Sequence, residues 1–177
     1  MTFSFSINFK PLLFVFLFIV VLIFVGFIWD NVRTQAKLNK IGEHAQAIYK
    51  AHPQEFAEIA SFKEPLKAGR YLNQINAPEK GVYRVRVVRK ADNKWKLISI
   101  NYYSIPYYDQ PANERELSEE EKTLFEKVAD DRDTTTTTDA LLNTEYDSQD
   151  NLYAIVPIHS TETSAFLVIS TKRTRNL

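Results

Sequence analysis

The strongest pattern in the chain is an uninterrupted apolar run, PLLFVFLFIVVLIFVGFIW, at residues 11–29. The run carries no charge, and as an α-helix it would rise about 27 Å, against about 30 Å for the hydrocarbon core of a bilayer. A cleaved signal peptide is the alternative, but the apolar region of such a peptide is usually about 7–15 residues long, and no small-x-small cleavage site follows this run. We therefore predict an uncleaved transmembrane helix at residues 11–29, in contact with membrane lipid.

Beyond the apolar run, the sequence becomes polar but keeps a helical period. Its apolar positions recur every three to five residues: Val32, Ala36, Ile41, Ala45 and Ile48. We predict that the membrane helix continues as a stalk helix over residues 30–52, because Pro53 disfavours the helical state at the residue before it. The apolar stripe of the stalk needs cover, which predicts a homodimer or a membrane-protein partner.

Two short helices are predicted after the stalk. The first covers QEFAEIASF at residues 54–62, and the second covers EPLKAGRYLNQI at residues 64–75. Pro65 suits the first turn of the second helix, because the N–H that proline lacks would have no helical partner there.

From residue 81 onwards, apolar residues recur at every second position and no longer with a helical period, which predicts strands. GVYRVRVVRK at 81–90 and KWKLISINYY at 94–103 alternate, and the turn ADN joins them as an antiparallel hairpin. NLYAIVPIH at 151–159 and SAFLVISTK at 164–172 are nearly continuous apolar runs. Such runs are typical of central strands in a sheet that is covered on both faces.

A helix and a loop are predicted between the two pairs of strands. LSEEEKTLFEKVADD at 117–131 begins with a capping-box signature, Ser118 and Glu121, and places apolar residues on one stripe. DDRDTTTTTD at 130–139 has no apolar residue, which favours a loop. Its threonines could instead form an extended edge.

Composition and charge exclude several functions. Lys+Arg and Asp+Glu both number 22, so no net field attracts nucleic acid, and we expect no nucleic-acid partner. The basic run YRVRVVRK at 83–90 is interpreted as a strand with one solvated face. The chain has no cysteine, which excludes disulfides, thiolate metal sites and a cysteine nucleophile.

Other motifs of catalysis are also missing. The four glycines are scattered singly, so no phosphate-binding loop is present, and no Gly-x-Ser-x-Gly marks a serine nucleophile. His44 and His52 belong to the stalk region and His159 sits beside a turn, which favours ordinary surface roles. We predict no catalytic residue, no metal and no cofactor, and we expect that the protein is not an enzyme.

The stretch SINYYSIPYYDQPANE at residues 99–114 is the one concentration of side chains suited to binding. Tyrosine offers a large apolar face and a hydroxyl, which suits the enclosure and orientation of a small molecule. Alternating tyrosines are also common in half-buried strands, so the stretch is either the wall of a pocket or part of a core.

Two parts of the chain resemble the extracytoplasmic PAS-like sensor domains known as Cache or PDC domains. They are the hairpin VYRVRVVRKADNKWKLISINYY and the closing LYAIVPIHSTETSAFLVIS. The resemblance implies an α+β fold, in which the transmembrane and stalk helices precede a PAS-like antiparallel sheet flanked by helices at residues 53–177. It also implies that the tyrosine-rich stretch passes over a ligand pocket. The candidate ligand-binding residues are Arg70, Tyr71, Tyr83, Tyr103, Tyr107 and Asp109, with Arg70 pairing with a carboxylate.

Two features of the sequence give opposite indications of the side of the membrane on which the domain lies. Only Lys10 and the amino terminus precede the span, whereas three basic residues follow it closely, which alone would place the domain in the cytoplasm. A short tail before a single long span usually acts as a signal anchor, and the resemblance also implies export. We expect a single-pass protein of a bacterial inner membrane, with residues 1–10 cytoplasmic and the domain periplasmic.

Two functions follow as hypotheses. The first is a membrane-anchored sensory module that recognises a small solute. Receptors that the chain resembles carry a second membrane segment and an output module after the last strand, and these 177 residues contain neither. If they are the complete product, the module would act through a partner protein. The Arg-x-Trp-Tyr pattern for amino-acid recognition is also missing, so amino-acid sensing is not implied. The second hypothesis is a non-enzymatic accessory subunit of a bacterial envelope complex.

Overall fold

The computed structural model describes residues 9–77, 82–100, 110–129, 134–139, 151–159 and 164–172, with side chains from residue 13. The chain divides into two compact units, Met1–Ala36 and Lys37–Leu177. The elements are α1 (Phe9–Ala51), α2 (Pro53–Ser61), α3 (Pro65–Asn76), β1 (Arg84–Ala91), β2 (Lys94–Ser99), β3 (Asn113–Glu116), α4 (Glu119–Ala129), β4 (Thr136–Thr138), β5 (Asn151–Ile158) and β6 (Ala165–Lys172).

The first unit consists of the N-terminal part of α1. From Leu13 to Trp29, the large apolar side chains are 46–78% exposed. In the part of the chain that the structure describes, α1 is the one helix long and apolar enough to cross a membrane. The apolar helix predicted from the sequence is therefore present, and its side chains are available to lipid.

Helices α2 and α3 begin where their prolines are tolerated. Pro53 and Pro65 occupy the first turns, where no N–H is needed for the helical ladder. Helix α2 ends at Ser61 and is capped by Phe62, whose φ of 47° is left-handed and whose N–H donates to the carbonyl of Ile59. Both helices were predicted from the sequence and are confirmed.

The described strands form one six-stranded antiparallel sheet in the order β3-β2-β1-β6-β5-β4. Strands β1 and β2 are joined by Asp92 and Asn93, with φ values of 52° and 59°. Two consecutive positive φ angles make a type I′ turn, whose twist matches that of the strands. The predicted hairpin is confirmed, and so are the positions of β5 and β6 inside the sheet, where every residue of the two strands except the exposed Lys172 is buried. The α+β fold class is also confirmed.

Each face of the sheet carries its own apolar cluster. On the three-helix face, strand residues such as Val87 and Leu167 pack with residues of α1, α2 and α3. On the α4 face, Trp95 and Phe166 pack with Phe125 of α4. The predicted helix with one buried face is therefore confirmed.

The loop predicted at residues 130–139 is corrected in part. Thr136–Thr138 form β4, which pairs with Tyr153–Ile155 of β5. This agrees with the alternative prediction, in which the threonines form an extended edge. Strand β3 was not predicted, because Asn113–Glu116 are all polar. Its charged side chains form ion pairs across the sheet edge, so burial of apolar area does not define this strand.

The C-terminal turns of α1 belong to the second unit. Ile41 and Ala45 are fully buried, and Ile48 is 9% exposed, all within the cluster of the three-helix face. The sequence pattern assigned these residues to a stalk that required a partner. This part of the apolar stripe is covered by the chain itself.

Candidate functional site

The two flanks of the tyrosine-rich stretch lie on the three-helix face of the sheet. Ile100, after β2, and Ala112, before β3, are both buried in the cluster of that face. Tyr103, Tyr107 and Asp109 lie outside the described residues, so their role stays a prediction.

Gly69 joins helix α3 to the C-terminal flank of the tyrosine-rich stretch. A Cβ atom built on Gly69 would lie 1.9 Å from the carbonyl oxygen of Gln110 and 2.7 Å from the nitrogen of Ala112. The N–H of Ala112 donates to the carbonyl of Pro65 at 2.8 Å. Because two backbones touch here, only a residue without a side chain fits at this point of α3.

Arg70 and Tyr71 follow Gly69 directly. Arg70 is exposed, whereas Tyr71 is half-buried and packs against the cluster of the three-helix face. The ammonium of Lys67 lies 5.8 Å from the centre of the Tyr71 ring, and it donates to Glu58 at 2.8 Å. That hydrogen bond raises the pKa of Lys67. Arg70 is therefore an exposed cation of α3, of the kind that pairs with a carboxylate, and Tyr71 is its neighbour in the sequence.

Tyr83 contacts a different helix. Its ring stacks on His44 of α1, with ring centroids 4.2 Å apart and planes inclined by 26°. Tyr83 and Tyr71 both pack against the cluster of the three-helix face, so the structure places these two predicted residues on one side of the sheet. The described contacts give Tyr83 a role in the packing of α1 and do not test ligand binding.

A buried polar group on the α4 face was missed by the sequence analysis. Arg86 is 2% exposed, and its Nη2 atom donates to Oγ of Ser170 at 2.7 Å. Tyr153 and Asn151, on β5, are also buried. The interpretation of YRVRVVRK as a strand with one solvated face is therefore wrong at Arg86. Both faces of this central strand are covered, and an alternating pattern of arginines does not signal that cover.

Several of the described acidic residues form ion pairs within the fold. Among the residues that the structure describes, no three His, Asp or Glu side chains are grouped so that they could hold a metal ion. Glu114 pairs with Arg89 at 2.7 Å and with Lys96 at 3.2 Å, and Glu121 pairs with Arg115 at 2.7 Å. These contacts stabilise the sheet edge and α4.

Comparison with known proteins does not assign a family. No family model matches the chain, and the searches of curated proteins and of solved structures returned no significant match.

Proposed function

We propose that this protein is a membrane-anchored extracytoplasmic module that recognises a small solute and acts through a partner protein. The apolar part of α1 would be the anchor, and the binding surface would lie along α3. In this proposal, Arg70 pairs with a carboxylate of the solute, Tyr71 contacts its apolar part, and Tyr103, Tyr107 and Asp109 contact its other groups.

The observation that supports the proposal most is the close contact at Gly69. It brings the C-terminal flank of the tyrosine-rich stretch against the helix that carries Arg70 and Tyr71. Sequence alone placed these two groups of residues in one pocket only through the family resemblance. The contact provides a separate reason for the proposal, because Gln110, which directly follows residues 101–109 in the chain, touches α3 at Gly69.

The proposal also states on which side of the membrane the domain lies and which surface contacts the partner protein. In this proposal the apolar part of α1 acts as a signal anchor that places the second unit in the periplasm of a bacterial inner membrane. The partner contact would use the part of the stripe that stays exposed, with Val32 61% exposed and Ala36 also exposed. Because the chain itself covers Ile41 and Ala45, the apolar stripe gives less support to the alternative of an accessory subunit.

Native mass spectrometry of the full chain, extracted gently from its own membrane, tests the proposal. We expect a small added mass on the parent protein. Arg70→Ala should lose it, whereas Tyr71→Phe, which keeps the apolar ring and removes only the hydroxyl, should retain it. Lys127→Ala is the matched control, because Lys127 is an exposed cation on α4, the helix of the opposite face.

The outcomes separate the two functions. An added mass that persists unchanged in Arg70→Ala would overturn the proposed site. A co-purifying protein chain without any small adduct would overturn the sensor proposal and support an accessory subunit of an envelope complex.

A further inference from the structure

Strand β4 is not explained by its own sequence. It consists of three threonines, Thr136–Thr138, without an apolar side chain, and it lies at the edge of the sheet. Among the strands that the structure describes, it pairs with β5 alone, at Tyr153–Ile155. So short an edge strand gains little from its own hydrogen bonds, and threonine alone is a weak reason for it to form.

Helix α1 contacts the segment that contains β4 at two points. Gly42 lies against Thr137: a Cβ atom built on Gly42 would be 3.0 Å from the Cγ2 methyl of that threonine. One turn further along the helix, Nε2 of Gln46 donates to Oγ1 of Thr135 at 3.0 Å. Both threonines are half-buried.

The spacing of these contacts matches on the two elements. Positions i and i+4 of a helix lie on one face and are about 6 Å apart along the axis. Thr135 directly precedes β4, and in an extended chain positions i and i+2 also share a face and are about 6.6 Å apart. Gly42 and Gln46 can therefore meet Thr137 and Thr135 together, and displacement of the helix breaks both contacts at once.

We propose that this face of α1 and strand β4 form one docking unit, the α1–β4 latch. Strand β4 stays paired with β5 while Gly42 and Gln46 are docked, and it separates from β5 when they leave. The latch does not depend on the proposed solute site. It gives the helix that also carries the apolar segment a conformational link to the edge of the sheet.

Hydrogen exchange of the full chain in lipid nanodiscs, read by mass spectrometry, tests the latch. Gly42→Leu places a side chain where Thr137 lies, although leucine favours the helix more than glycine does. We expect the amides of β4 to exchange at least about tenfold faster, while those of β1 and β6 keep their rates. Ala47→Leu is the control, since Ala47 is exposed on the same helix.

If Gly42→Leu does not fold, a second variant still tests the latch. Gln46→Ala removes the hydrogen bond to Thr135 without adding volume, and it should also accelerate exchange in β4 selectively. Unchanged exchange in β4 for the folded variants would overturn the latch. So would equal acceleration of β1, β4 and β6, because that result would report a general loss of stability.

Discussion

At the scale of single residues, Glu121 shows how a carboxylate is retained inside the fold. Its side chain is 1% exposed, and it receives hydrogen bonds from the N–H of Ser118 at 2.8 Å and from both Nη atoms of Arg115. Burial alone would raise the pKa of Glu121, but the bonds from Arg115 and Ser118 outweigh it and leave the pKa below its ordinary value. The capping box predicted from the sequence is confirmed, and Arg115 is an addition that the local pattern does not contain.

Glu121→Gln should therefore lower the free energy of unfolding at pH 7 by about 1–3 kcal/mol. Because the folded pKa lies below the ordinary value of 4.5, the contribution is present above that pH and is lost as the pH falls through the folded pKa. Urea unfolding at pH 7 and at pH 3 measures both effects, and the difference between parent and variant should shrink at pH 3. Glu120→Gln, at an exposed position of the same helical turn, is the control. An equal effect of the two substitutions would contradict the assignment.

Gly69→Ala tests the contact between α3 and the flank of the tyrosine-rich stretch. Its Cβ would meet the backbone of Gln110, which cannot rotate away, so we expect a loss of about 1–3 kcal/mol in the free energy of unfolding despite the better helix propensity of alanine. Chemical unfolding of the domain measures it. Gly26→Ala, where nothing lies within 4 Å of the added atom, should leave the unfolding of the domain unchanged. Stabilisation by Gly69→Ala would show that the two backbones are not in contact.

At the scale of elements, helix α4 packs on the sheet through a cluster of three aromatic rings. Phe125 of α4 lies 6.0 Å from Trp95 and 5.8 Å from Phe166, measured between ring centroids. The two strand residues are 5.8 Å apart. All three rings are inclined to one another, an arrangement in which aromatic pairs attract beyond their burial of area.

Phe125→Ala should cost about 3–5 kcal/mol of unfolding free energy, because the fully buried ring leaves a cavity between two rings that cannot both move into it. Thermal and urea unfolding of the full chain measure the loss, together with near-ultraviolet circular dichroism from Trp95. Leu124→Ala removes a half-buried side chain of the same helix and should cost clearly less. Similar losses for the two variants would mean that the ring cluster does not fasten α4.

The elements also differ in how far the sequence predicts them. Strands β5 and β6 were predictable because their apolar runs reflect burial on both faces, and α3 was predictable from Pro65 and its helical period. Strands β3 and β4 were not, because the features that define them lie elsewhere in the chain. Glu114 of β3 pairs with Arg89 of β1, and the threonines of β4 meet α1. Of the candidate site, the helix with Arg70 was predictable as an element, whereas the contact at Gly69 required the fold.

At the scale of the whole molecule, the boundary between the two units does not fall where the apolar pattern changes along the chain. The exposed apolar part of α1 belongs to the first unit, whereas its last turns are core of the second. The hydrophobic period is continuous through both, so the sequence could not separate positions that need an external partner from positions that the domain covers. The surface left for a partner is therefore smaller than the stripe of the stalk indicated.

The side of the membrane on which the second unit lies is the part of the proposed function that most constrains the proposed solute, and the lack of cysteine makes it measurable. Two single-cysteine variants are needed: Glu126→Cys, at an exposed position of α4, and Ser4→Cys, before the span. For a periplasmic domain, a maleimide reagent that cannot cross the inner membrane should label Glu126→Cys in intact cells and Ser4→Cys only after permeabilisation. The basic residues that follow the span oppose this orientation, each by about 1 kcal/mol near an anionic surface, so the result decides between charge and signal-anchor behaviour. The reverse labelling pattern would place the domain in the cytoplasm and would end the proposal of an extracytoplasmic sensor.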